Sequence, residues 1–571
     1  MEASELQVNT TINKMAEANL EAGFEVGQRV QSLEKGPKKI GAVKYLGPVQ
    51  GYEGIWAGVD WDDGEGRHSG IVNGVRYFDA AGEKSASFVR LHSLSKGITF
   101  LEALLRRYKG DSISKEEQDE MYVLSSSQKR VSIELVGVTE IQERQMHLEN
   151  LLHVSLEYTG VSSPGSIQEI SGLLPQLEEL DLRGNLLPDL QALGLVCEQL
   201  PALRVLDLSD SRMKIRSDLL PMFSNLRTLV LNNCGIAWEQ VEKLKESLPT
   251  IEELHLGGNK LRTIEPSVEE SSFGSVSSPS TFVQGFDSLR LLSLEGNEIE
   301  SWEEIVKLSH LARLEQLHLN KNMIKHVFYP QYPILDHSSL NRIESPNVLH
   351  KPFKNLRCLL LGGNKIEDWA SLDALNNFPS LMEVRLSDNP ISDPTKGGAS
   401  RYILIARLSK IVMLNGSEVK LRERKDSEIR YLRLVMTTRQ GKSQEEILQQ
   451  HPRFSELKAL HDVPDENLQV GVTGPQKMVA GLILTTLTYV GISHGEKAPI
   501  TKKLPATTTV GKLKMLCEGF FKLKPTKQRL FLKEEDAPIP TPLNDDMETL
   551  VDLGIGANGG SILVDEIDNK L

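Results

Sequence analysis

Residues 54 to 78 hold the arrangement in this chain most suggestive of chemistry. Gly66-Arg67-His68-Ser69-Gly70 places a guanidinium and an imidazole between two glycines. Backbone free of side chains can approach a ligand closely there, while Arg67 and His68 offer donors. Trp56, Trp61 and Phe78 supply aromatic surface on both sides of this loop in sequence. Donors beside rings on a close backbone suit a negatively charged peptide ending. Gly64-Glu65-Gly66 followed by Gly70 is no dinucleotide fingerprint, because the last spacing is wrong and no helix is expected after it.

The elements that must position this loop are strands. Glycines recur from Gly23 to Gly82 and alternate with short β-prone runs, Ile40–Tyr45 and Ile55–Trp61. The pattern predicts a small, strongly bent all-β barrel over residues 22–95, with glycines at bulges and turns. The run from Gly54 to Gly70, continued by Asn73-Gly74-Val75-Arg76-Tyr77-Phe78, resembles the CAP-Gly domain signature. That resemblance implies recognition of the acidic, aromatic-ended tails of α-tubulin and of some microtubule-end proteins. It also implies that Trp56, Trp61, Gly66, Arg67, His68, Ser69, Gly70 and Phe78 line the tail site. The family's loop usually reads Gly-Lys-Asn-Asp-Gly; here Arg67 keeps the cation, His68 keeps a donor and Ser69 gives up the acid.

A second pattern repeats. Leu177-x-x-Leu180-x-Leu182-x-x-Asn185-x-Leu187 returns from Ile251, Leu289, Leu314, Leu356 and Leu381, each copy with an Asn in the ninth place. Ser211 and Cys234 fill that place in two deviating copies, and a weak copy runs from Leu151 to Val161. This is the leucine-rich repeat period, in which each short strand buries its apolar edge only against its neighbours. An α/β solenoid is therefore expected over 131–400, with a helical cap at 401–420. The asparagines read as structural, satisfying backbone groups of the adjoining turn. Strand alternation turns Asp181, Asp207, Val230, His255, Ser293, His318, Leu360 and Arg385 to the concave face, flanked by Glu179, Glu253, Gln316 and Glu383. Of these, Asp181, Asp207, His255, His318 and Arg385 are the candidate partner contacts. The face reads as acidic at its start with a cation at its end, which suits a protein more than a phosphate polymer. Two stretched spacings mark insertions: Pro266–Ser280, read as a flexible loop, and His326–Lys351, which contains Tyr329, Tyr332, His337 and His350.

Residues 96–130 read as a charged helical linker, and 421–477 as a second one with a solvated helix. From about Met478 the order becomes strand, strand, helix, strands. Leu482–Val490 and Ala498–Pro505 form a candidate hairpin, Thr508 opens a capped amphipathic helix, and Gln528–Leu532 and Ser561–Val564 supply later strands. Residues 478–571 thus resemble a ubiquitin-like β-grasp domain. Gly559-Gly560 precede the last strand, so conjugation through a free diglycine tail is not expected.

Bulk properties narrow the function. A chain of 571 residues holds several domains, and a formal charge of −13 argues against a general nucleic-acid binder. The acidic first residues do not read as a secretory signal, and no apolar stretch is long enough to span a bilayer. A cytoplasmic, cytoskeleton-associated protein with reduced thiols is expected, since Cys197, Cys234, Cys358 and Cys517 lack metal-ligand spacing. No P-loop, HExxH, GxSxG or kinase motif stands in context, so no catalytic, metal or cofactor site is expected.

The three parts in this order resemble the tubulin-folding cofactor family. The resemblance implies binding of α-tubulin and joint work with β-tubulin and other cofactors on the α/β heterodimer. It leaves contact of the last domain with ubiquitin-receptor or proteasome components open. A microtubule-end adaptor and a ubiquitin-pathway shuttle are the alternative readings, the first weakened by the absence of long heptads.

Overall fold

The computed structural model describes residues 23–34, 38–109, 122–124, 130–132, 147–213, 215, 220–266, 282–330, 351–393, 398–438, 443–461, 482–490, 498–505, 508–533, 540–543, 546, 550 and 560–567. The loop expected over Pro266–Ser280 lies outside them beyond Pro266, as do Tyr332, His337 and His350. Two compact units divide the chain, Met1–Lys458 and Ala459–Leu571.

The first unit opens with the β barrel. Its five-stranded sheet runs in the order Ala86–Val89, Tyr52–Trp61, Ile40–Val49, Arg29–Ser32, Leu94–Ser95. A register shift between Val43 and Tyr45 bends the longest pair. Alternation sends Ala57, Val59 and Trp61 inward, where they pack with Phe24, Val30, Val43 and Leu94.

The repeats build one sheet of 11 strands, from His153–Ser155 through Glu383–Arg385 to Met413–Leu414 and Ser417–Glu418. Each repeat strand is three residues long, with its middle residue buried, as in Leu180, Leu254, Leu317 and Val384. The weak copy is a full member, since His153–Ser155 pairs in parallel with Glu179–Asp181.

Buried asparagines tie repeat to repeat. Asn322 Oδ1 accepts the Ile299 N–H at 3.1 Å, and its amide donates to the carbonyls of Leu294 at 2.9 Å and Leu319 at 3.1 Å. Asn185, Asn259, Asn297, Asn364 and Asn389 make equivalent bridges to the preceding repeat. Where Cys234 takes the slot, its thiol donates to Leu208 O at 3.2 Å. Ser211 there accepts the Asn185 N–H at 3.2 Å.

Part of each supposed linker, Phe100–Tyr108 in the first and Leu421–Thr438 in the second, packs on the array. The helix expected over Phe100–Arg130 ends at Tyr108, and Tyr122–Leu124 pairs antiparallel with Arg130–Ser132 instead. Phe100, Ala103 and Leu104 are buried in the same core as the first repeats, so this helix closes the array's leading edge. At the other end, Arg401–Arg407 forms the expected cap helix. The following helix, Leu421–Thr438, packs on it and buries Tyr431, Leu432 and Val435, which corrects its reading as a solvated helix.

Arginines make that packing possible. Arg424 donates to the carbonyls of Ile405 at 3.2 Å, Leu408 at 2.9 Å and Ile411, and Arg453 donates to Ala406 O. These guanidiniums satisfy the carbonyls a helix leaves unpaired at its C-terminal end. Arg407, only 3% exposed, pairs with Asp373 (3.0 Å) and donates to Tyr431 Oη (3.0 Å) and Gln450 O (2.9 Å).

In the second unit the sheet order is Ile500–Pro505, Leu482–Tyr489, Gly560–Glu566, Gln528–Lys533, Thr541–Leu543. The first and last long strands, Leu482–Tyr489 and Gly560–Glu566, run parallel side by side, the mark of a β-grasp. The Val510–Phe521 helix, capped by Thr509, lays Val510, Leu513, Cys517 and Phe521 on the sheet. The short strand Thr541–Leu543 is an element the sequence pattern does not announce.

Replacing Arg407 by Met removes one half of a buried ion pair and leaves Asp373 uncompensated. We expect a loss of about 3–5 kcal/mol in urea unfolding monitored by circular dichroism. Arg422→Ala, at a side chain 89% exposed, should cost no more than about 0.5 kcal/mol.

Candidate peptide groove and repeat face

One row of cross-strand neighbours builds the groove. Gly58 pairs with Tyr45 on one side and Phe88 on the other, so the three share a face of the barrel sheet. Gly58 leaves a gap between two rings. Phe78 fills it: a Cβ on Gly58 would overlap the Phe78 ring. Tyr77 completes the cluster, with ring centroids 5.1 Å from Tyr45 and 5.3 Å from Phe88. Nothing in the spacing of Tyr45, Tyr77 and Phe88 singles them out beforehand.

The loop lies against this cluster. Gly66 N–H donates to Lys84 O at 2.5 Å, and a side chain on Gly66 would run into the backbone at Ala86. Gly70 has φ +90°, and a Cβ there would overlap the Phe78 carbonyl oxygen. Asn73 and Gly74, both with positive φ, turn the chain back so that Tyr77 N–H reaches Gly70 O at 3.0 Å. These constraints bring Phe78 and the Gly66–Gly70 segment together.

His68 stands on the rings, its own centroid 5.1 Å from that of Phe88. Its Nδ1 accepts the Gly70 N–H at 3.1 Å, which leaves Nε2 as the N–H of a neutral ring. Burial, with the neighbouring Arg67 charge adding to it, holds the imidazole pKa below its ordinary value. His68 is thus both a strut for the loop and a neutral donor. Arg67 is exposed, and its guanidinium has no ion pair or side-chain hydrogen bond among the described residues. Ser69, the next residue after His68, is half-buried.

The two tryptophans part company. Trp56 stays on the groove face, next to Tyr52 at 5.9 Å between centroids and beneath Arg90 at 3.8 Å. Trp61 is 5% exposed in the barrel core, which corrects its placement in the tail site. Five residues separate them on one strand, and an odd separation puts side chains on opposite faces.

On the array, the expected row forms in unbroken register. Asp181, Asp207, Val230, His255, Ser293, His318, Leu360 and Arg385 are paired strand to strand. Its acidic start is more balanced than the strand residues alone suggest. Arg183 lies 3.3 Å from both Asp181 and Asp207, a partner hidden from the strand pattern because it sits just after the strand. Burial nevertheless raises the Asp181 pKa. His255 and His318 flank Ser293, and burial together with the His255 charge lowers the His318 pKa. Among the described residues no three His, Cys, Asp or Glu side chains are grouped to hold a metal ion. Tyr329, at the edge of the second insertion, is tied to Pro352 O at 3.0 Å and packs against Phe378.

A glycine-lined groove on a barrel, a leucine-rich array and a β-grasp domain define a modular binding protein of the CAP-Gly class. Residues 26–94 match the CAP-Gly domain family. The chain is 51% identical over 545 residues to tubulin-folding cofactor E of Arabidopsis thaliana, covering 95% of this chain and 98% of that protein. To tubulin-specific chaperone E of Danio rerio it is 31% identical over 506 residues, covering 86% and 90%. The Homo sapiens tubulin-specific chaperone E is 27% identical over 540 residues, covering 91% and 95%. The chain belongs to the tubulin-folding cofactor E family.

Protonation of His68 has a defined sign. Its folded pKa is lowered below 6.5, so the unfolded chain takes up the proton first as pH falls. His68 therefore costs stability progressively below about pH 6.5 and nothing well above it. His68→Asn keeps an acceptor near the Gly70 N–H without a titrating group. The stability difference between pH 7.5 and 5.5, read by denaturant titration of the parent and variant, should shrink in the variant.

Proposed function

We propose that this chain captures α-tubulin by its acidic C-terminal tail and, with β-tubulin and other tubulin-folding cofactors, takes part in assembling and dissociating the α/β heterodimer in the cytoplasm. The observation that carries the reading is the groove: an aromatic cluster roofed by a close-packed glycine loop, with a neutral donor at His68 and an exposed cation at Arg67. The ring cluster suits the terminal aromatic side chain, and the two donors suit the carboxylates around it. The printed names of the relatives, a tubulin-folding cofactor and tubulin-specific chaperones, support the same partner.

A groove of this size gives a modest grip. The repeat face supplies the second contact, and a tail held nearby raises the local concentration of the tubulin body there. No chemistry of the chain's own is part of this reading, and any nucleotide turnover belongs to tubulin.

Arg67→Ala tests the groove directly. Titration with an acidic, Tyr-ended peptide should show affinity about tenfold weaker than the parent at low salt, narrowing to roughly threefold or less at 0.5 M salt, where surface charges are screened. Equal affinity of variant and parent at low salt would remove Arg67 from the site. Absence of any complex with the folded parent would remove the tail reading itself.

A further inference from the structure

The barrel and the array meet through contacts that belong to neither the groove nor the repeat face. Ile98–Thr99 pairs in parallel with Val161–Ser163, and Ile98 N–H donates to Gly160 O at 2.8 Å. Only Lys96 and Gly97 separate this strand from Leu94–Ser95 of the barrel sheet. Gly97 has φ +88°, and a Cβ there would overlap the Gly160 carbonyl oxygen. So short a connection, leading into a strand hydrogen-bonded from its first residue, does not act as a swivel.

Two cations cross the junction in opposite directions. Lys38 of the barrel donates to Tyr158 O of the array at 2.9 Å. From the array, Arg212 donates to Asp62 O at 3.2 Å, with its Nε 3.7 Å from Asp62 Oδ1.

Each receiving residue is held firmly on its own side. Tyr158 adopts φ +52°, a conformation that a bulky residue keeps only when its surroundings impose it. Here its N–H donates to Arg183 O at 2.8 Å and its hydroxyl to Asp210 at 2.8 Å. Its ring occupies the space a side chain on Gly184 would take. Burial and the Asp210 bond push the phenol up to about 12, so it remains a donor near neutral pH. Asp62 is gripped by Arg29, whose side chain is 8% exposed, and it lies four residues before Gly66. A continuous path therefore runs from the array through Arg212 and Asp62 to the loop of the groove.

We propose that this junction makes the barrel and the first repeats a single rigid binding body, in which Arg212 and Tyr158 are positioning residues that aim the groove, so that tubulin held by its tail is presented to the repeat face. The proposal rests on the tubulin reading above. A flexible tether would raise only local concentration, whereas a fixed one also saves the orientational freedom otherwise lost on forming the second contact.

The test uses the full chain, with Gly97→Val combined with Arg212→Gln, and as a second variant a ten-residue Gly/Ser insertion between Lys96 and Gly97 combined with Arg212→Gln. Three quantities are measured: amide hydrogen exchange of segments 96–99 and 160–163, affinity for an acidic Tyr-ended peptide, and affinity for soluble tubulin heterodimer. In at least the insertion variant we expect exchange at least about tenfold faster in both segments, peptide affinity within about threefold of the parent, and tubulin affinity at least about tenfold weaker. Unchanged exchange in both variants would show that these contacts do not hold the modules together. Unchanged tubulin affinity in a variant whose segments exchange faster would overturn the positioning role. Failure of the parent to bind the peptide would sink the tail reading instead, while the exchange result would still decide whether the junction is rigid.

Discussion

A repeat strand of three residues cannot stand alone. It buries one side chain, and its backbone needs neighbours on both edges. The architecture of the array follows from closing such a stack. Between repeats, the asparagine amides satisfy turn carbonyls and amides that the strands cannot reach. At the ends, the same demand recruits helices. Phe100, Ala103 and Leu104 cover the leading edge, and the helices from Arg401 onward cover the trailing one. Because the leading cap follows the barrel strand Leu94–Ser95 after only four residues, closing the stack also brings the barrel against the array.

The groove depends on a different use of missing atoms. Gly58 is absent side chain turned into a socket, since the Phe78 ring occupies the volume a Cβ would need. Gly66 and Gly70 bring the loop onto the backbone near Ala86 and Phe78 at separations other residues could not tolerate. Rings and donors are thereby fixed before any peptide arrives, which lowers the ordering cost of binding.

Electrostatics shapes the proposed choice of peptide. The chain as a whole is acidic, at −13, yet the exposed group beside the rings is a guanidinium. Four other arginines are engaged within the fold: Arg183 between two aspartates, Arg407 against Asp373, Arg424 and Arg453 on helix carbonyls. Arg67 differs because its neighbours leave it without an internal partner among the described residues. In the proposed tail reading, this local cation on an acidic protein meets the acidic segment through short-range contacts, while the net charge discourages polyanions from binding at large.

Much of this was legible in the residues themselves. Repeat spacing determined the solenoid, its buried leucines and its outward row, because a period of two within each strand and a fixed period between strands leave no other register. The glycine and turn pattern determined the barrel and placed Arg67 and His68 in one loop. Trp61 was misplaced although its parity against Trp56 was there to be read. Tertiary structure alone decided which rings join Phe78, since Tyr45 and Phe88 meet only across Gly58 on separate strands. It alone made caps of Phe100–Tyr108 and Leu421–Thr438, helices within two stretches that read as charged linkers, because charge on a side chain does not reveal whether a carbonyl waits for it. It alone joined Arg212 to Asp62, a pair 150 residues apart in the chain. Local pattern reports which face a residue shows; only the closed stack decides what stands opposite that face.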